Sequence, residues 1–102
     1  MTPASDRLSA DQIASELTAL PGWTGDPSGL TRDVKAPDFP TAIRIVDAVA
    51  EIAEGMDHHP DIDIRWRTLT FALSTHSAGG VTSKDVELAR KIDSVAGEHG
   101  AE

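Results

Sequence analysis

The chain has 102 residues, a formal net charge of −8 and a pI of about 4.8, so it repels polyphosphate backbones and anionic lipid surfaces, and no direct nucleic-acid partner is expected. It contains no cysteine, which removes disulfides, thiolate metal sites and nucleophilic thiols together. The length suits one domain over 1–102 with frayed ends at about 1–7 and 98–102, and so thin a core gains from forming an oligomer.

Met1 to Arg7 is polar, and no apolar run approaches the roughly 20 residues of a membrane span, so a cytoplasmic protein with no membrane partner is expected. Ser9-Ala10-Asp11-Gln12 reads as a capping box with Leu8 and Ile13 as its hydrophobic staple. Ile13, Leu17 and Leu20 then follow helical spacing, which predicts a helix to about Leu20, ended by Pro21-Gly22. After Trp23, the turn formers between Gly25 and Gly29 separate two short extended pieces, the second near Leu30 to Val34. Asp38 is a plausible N-cap with Pro40 tolerated in the first turn, and Ile45, Val49, Ile52 and Met56 recur at helical spacing. This is the main core helix. Ile43, Val46, Ala50 and Ala53 widen its stripe, which suggests a second packing surface and a subunit contact. His59-Pro60 stops the helix, because the residue before proline avoids the α region.

Ile62, Ile64 and Trp66 alternate with Asp63, Arg65 and Arg67, and Leu69, Phe71 and Leu73 alternate with Thr70, Ala72 and Ser74. Two antiparallel strands with one buried face are predicted, with Trp66 in the core. Gly79-Gly80 makes the next loop, and Thr82-Ser83-Lys84-Asp85 starts a last helix to about Ala96, with Val81 and Val86 as staple. The aromatics are only two Trp and two Phe, so an exposed one would stand out. The order α-β-β-α-β-β-α gives an α+β fold, a four-stranded antiparallel sheet with three helices packed on one face.

The polar residues that stand out are Glu54, Asp57, His58, His59, His76 and Asp85, since three histidines gather at the ends of predicted elements while His99 lies in the tail. Imidazoles, with an ordinary pKa of about 6.5, can donate or accept a proton near neutrality. Glu54 is placed to share a helix face with His58, and Asp57 adjoins it, so either carboxylate could orient that ring. Asp85 can complete the cap with Thr82 or serve the site. Trp23 falls outside any apolar stripe and is the aromatic expected to meet a ligand. Adjacent His58 and His59 point different ways on most backbones, so no metal site is expected.

The run Glu54, three residues, His58-His59-Pro60, five residues, Trp66, nine residues, His76, eight residues, Asp85 resembles the signature of the pterin-4a-carbinolamine dehydratases at every position. The similarity continues in Leu20-Pro21-Gly22-Trp23, Leu73-Ser74-Thr75-His76 and Thr82-Ser83-Lys84-Asp85. Two departures are Ala78, where some members have cysteine, and Gly55, in place of a longer residue. The resemblance implies dehydration of a 4a-hydroxytetrahydropterin to quinonoid dihydropterin and water, in tetrahydropterin recycling, with no cofactor. It implies that His58 and His76 are the acid–base pair and that His59 positions substrate, in a homodimer or homotetramer. It also leaves two alternatives: a binding, dimerisation or assembly module, since some members dimerise a transcription factor, or a dehydratase for another pterin such as one linked to the molybdenum cofactor.

Overall fold

A computed structural model describes residues 6–102, so the fraying expected of residues 1–5 lies outside the described residues. The elements are α1 (Ala10–Leu17), β1 (Thr24–Asp26), β2 (Gly29–Lys35), α2 (Phe39–Met56), β3 (Asp61–Arg65), β4 (Thr68–Leu73) and α3 (Ser83–Glu98). The strands form one antiparallel sheet in the order β1-β2-β4-β3. The fold is therefore α+β, in the order read from the sequence.

Local chemistry sets the boundaries. Both capping boxes form: the Ser9 hydroxyl accepts from the Gln12 amide while the Gln12 side chain accepts from the Ser9 amide, and Thr82 and Asp85 make the same reciprocal pair. Each satisfies donors that a bare helix end leaves open. Asp38 caps α2 by accepting from the Thr41 amide at 2.8 Å. Helix α1 ends at Leu17, short of Leu20, because the chain tightens through the bonds Ala19 N to Glu16 O and Leu20 N to Leu17 O. That tightening carries Leu20 and then Trp23 into the core.

Alternation decides the faces of the sheet. Leu30, Val34, Leu69, Phe71 and Leu73 are buried against Ile45, Val49, Leu88 and Ile92 of the helices, while Thr31, Asp33 and Ala72 point to the uncovered side. Along α2, Ala53 joins the core, Ile43 and Val46 are half-buried and Ala50 is exposed, so the second stripe is only partly covered.

Three expectations are corrected. Ile62 and Ile64 pair with Phe71 and Leu69 and so share the core side, but β3 is an edge strand beyond the helices and Ile64 stays 42% exposed. Trp66 is not core. Arg65 pairs with Thr68, so Trp66 opens a two-residue turn with φ +56° and is 73% exposed, its ring 5.3 Å from the Arg67 guanidinium. The strand period was carried one residue too far, into the turn. The C-terminal tail is tied down: Lys35 and Glu102 exchange backbone bonds of 2.9 and 3.0 Å, and His99 caps α3.

Candidate active site

Helix α2 ends on Asp57, which adopts a left-handed conformation (φ +51°) and whose amide bonds back to Ala53 and Glu54. This reversal sends the next two side chains apart. His58 turns inward and is buried, its amide bonded to Ala53 O at 3.0 Å, whereas His59 turns outward before Pro60 leads into β3. At the far end of β4, Thr75 bridges to Gly80, and the loop between them opens with a tight helical turn, His76–Ala78. Gly80 is required there, because a Cβ would stand 2.5 Å from the Pro27 carbonyl oxygen. Val81 uses both its backbone groups, donating to Pro27 O and accepting from the Leu8 amide.

Asp85, at the start of α3, is fully buried and divides its carboxylate between two tasks. Oδ2 accepts from the Thr82 amide at 2.9 Å and from the Thr75 hydroxyl at 2.8 Å, and Oδ1 lies 2.6 Å from His58 Nε2. The Thr82 hydroxyl is 2.8 Å from that of Thr75 and completes the network. A carboxylate only accepts, so the contact with Asp85 calls for a proton on Nε2 and leaves the lone pair of the neutral ring on Nδ1.

The site residues predicted from sequence divide as follows. His58, His59, His76 and Asp57 line one cleft of about 450 Å³, together with Asp61 and Lys84. Asp85 stands behind His58 and is both cap and partner of that ring. Glu54 pairs with His59, at 2.7 Å, and not with His58. The helix turn at Asp57 separates Glu54 from His58 after the shared face ends. Trp23 does not meet the cleft, which corrects its reading as a ligand contact. It is 3% exposed, and its indole donates to Asp93 at 2.8 Å, a carboxylate that Arg32 also engages. The signal was available: Arg32 falls on the inward phase of Leu30, Arg32 and Val34 and so needs a buried carboxylate.

Sequence reasoning missed Asp61 and Ser74. Both line the cleft and also a larger bay of about 600 Å³ that opens from it over the uncovered sheet face. The alternation that points Leu73 inward points Ser74 and Asp61 outward, which was the available clue. Among the described residues no group of three His, Cys, Asp or Glu side chains is arranged to hold a metal ion, and no helix is long and apolar enough to cross a membrane.

A pterin 4 alpha carbinolamine dehydratase family model matches residues 6–95. A relative from Nocardia farcinica is 58% identical over 92 residues, covering 90% of this chain and 97% of its own. Another from Mycolicibacterium smegmatis is 56% identical over 88 residues, covering 86% and 94%. Both carry pterin-4-alpha-carbinolamine dehydratase, a hydro-lyase, as a provisional name. The crystal structure of a transcriptional coactivator/pterin dehydratase from Brucella melitensis superposes with a TM-score of 0.85 at 36% identity, covering 88% of this chain and 98% of that one. A pterin dehydratase-like RuBisCO assembly factor of the alpha-carboxysome shares the fold, with a TM-score of 0.61 at 21% identity over 74% of this chain and 87% of that one. With His58, His59, Pro60 and His76 of the signature lining one cleft and the match running through nearly all of the described residues, the chain belongs to the pterin-4a-carbinolamine dehydratase family.

Proposed function

We propose that the chain dehydrates a 4a-hydroxytetrahydropterin, with His58 accepting the N5 proton and His76 protonating the departing 4a-hydroxyl. The observation that carries this reading is the buried Asp85–His58 pair at the wall of a cleft that also holds His59 and His76. Fixing the proton on Nε2 presents Nδ1 as a base, and the carboxylate stabilises the imidazolium that forms. His76 is exposed and has no hydrogen-bond partner for its ring among the described residues, so it exchanges protons with water between turnovers. The balance closes. The C4a–O bond breaks with the proton from His76 and water leaves, while N5 loses its proton to His58 and the C4a–N5 double bond forms. Glu54 orients His59, whose outward ring bounds the cleft and positions the substrate. Asp57 lines the same cleft, where its charge suits an electron-poor pterin.

Stopped-flow dehydration against the uncatalysed background tests this. His58→Ala and His76→Ala should each lose about 10²–10⁴-fold in kcat, the usual contribution of a positioned acid or base, and His59→Ala should act mainly on KM. Unchanged rates in the double variant of His58 and His76 would sink the reading.

Self-association also belongs to the proposal. The edge of β3, unpaired among the described residues and with Ile64 and Trp66 exposed, supports a homo-oligomer built on that edge and on the half-covered flank of α2. An assembly or dimerisation role would use the same surface.

A further inference from the structure

Nine lysines and arginines face seventeen carboxylates in this chain, so a cation has an excess of acids to meet. Arg32, Arg65, Arg90 and Lys91 meet one each, in ion pairs with Asp93, Asp63, Glu16 and Glu87. Lys35 and Arg67 have no carboxylate partner among the described residues, yet both line one small cavity of about 270 Å³. It lies at the opposite end of β4 from the histidine cleft: Lys35 pairs with Thr68, the first residue of that strand, whereas His76 comes after the last, Leu73.

Three pieces of chain build the cavity. Ala36 N donates to Arg67 O at 2.9 Å and Lys35 exchanges backbone bonds with Glu102, which joins the end of β2, the β3–β4 turn and the C-terminal tail. Pro37 offers no N–H, and Gly100, left-handed at φ +69°, keeps the facing wall low, since a Cβ there would stand 3.8 Å from Pro37 Cγ. The amides of Lys35, Ala36, Gly100 and Glu102 are all spent within the chain, so the side chains of Lys35 and Arg67 are left to meet a ligand. Arg67 is held ready. Its guanidinium lies 5.3 Å from the Trp66 ring, Nη1 makes one long bond of 3.3 Å to Ala36 O, and Nε is buried with no acceptor among the described residues. The fold thus gives this fork one weak carbonyl where an oxyanion would accept two bonds. Among the described residues Glu102 is the one acid on the cavity, and it forms no ion pair with either cation.

Two cations beside one unengaged carboxylate suit an anion that keeps a proton. Inorganic phosphate does so near neutrality: its charged oxygens accept from Lys35 and Arg67, and its remaining hydroxyl donates to Glu102. Sulfate has no proton to give and would set its charge against that carboxylate. At roughly 30 Å³ per water, the cavity holds a tetrahedral ion with several waters. We propose that this cavity is a binding site for inorganic hydrogen phosphate, separate from the histidine cleft, with Glu102 selecting for the protonated anion. Selectivity then rests on repulsion of sulfate as much as on attraction of phosphate.

The test is a titration of the whole chain with phosphate, sulfate and glycerol phosphate, followed by the backbone amide shifts in nuclear magnetic resonance at constant ionic strength. It is run at about pH 8, where a phosphate monoester has lost the proton that inorganic phosphate keeps. Phosphate should shift the amides of Ala36, Gly100 and Glu102 saturably, with a dissociation constant about tenfold or more below those of the other two anions. Lys35→Gln and Arg67→Gln should each weaken phosphate by about tenfold, and Glu102→Gln should bring phosphate and sulfate to within about twofold. Lys35 is exposed, so its variant tests the site even if Arg67→Gln disturbs the turn at Trp66. No saturable shift with phosphate, shifts centred on the histidine cleft instead, equal affinity for phosphate and sulfate in the wild type, or phosphate affinity unchanged in Lys35→Gln would each overturn the site.

Discussion

Asp85 serves the fold with one oxygen and the cleft with the other. Its position at the start of α3 was legible as a cap, but the partner ring 27 residues earlier was not, because capping is local and the second contact is tertiary. Asp85→Asn separates the two tasks. The amide oxygen can still accept from Thr82 and Thr75, but the NH2 group then faces His58 and drives its proton to Nδ1, where the proposed mechanism requires a lone pair. The variant should keep its secondary structure by circular dichroism and lose about 10²–10⁴-fold in kcat by stopped flow. Trp23 and Trp66 were misread for opposite reasons. Trp23 bonds Asp93, 70 residues away, a partner that only the inward phase of Arg32 hinted at. Trp66 continued an alternation that the chain had already ended at Arg65.

At the scale of elements, ends were easier to read than faces. Ser9, Asp38 and Thr82 announce their helices through donors that must be met within three residues, so their signal is contained in the sequence around them. The exposure of β3 depends on how far the helices reach across the sheet, a property of packing. Asp38 also gives α2 a pH signature. The Thr41 hydroxyl and amide lower its carboxyl below the ordinary 3.8, so its contribution is present above that range and fades as pH falls through the folded-state value. In thermal melts from neutral pH to about 3, the advantage of the wild type over Asp38→Ala should shrink as the carboxyl gains its proton.

For the whole molecule, the open question is how the uncovered edge is satisfied. A second copy pairing there would cover Ile64 and Trp66 and supply the backbone partners that β3 lacks on its outer side among the described residues. Sedimentation equilibrium at micromolar concentration should give a mass of two or four chains, and Ile64→Lys should shift it toward one. A strict monomer in the wild type would refute the oligomer.

Val81 joins three otherwise distant pieces of chain, the segment before α1, the β1–β2 turn and the approach to α3. The loop that carries His76 is therefore not an independent flap. Its C-terminal end is tied through Val81 to the β1–β2 turn, so amide exchange at Val81 is expected to be slower than the fast fraying usual for a surface loop.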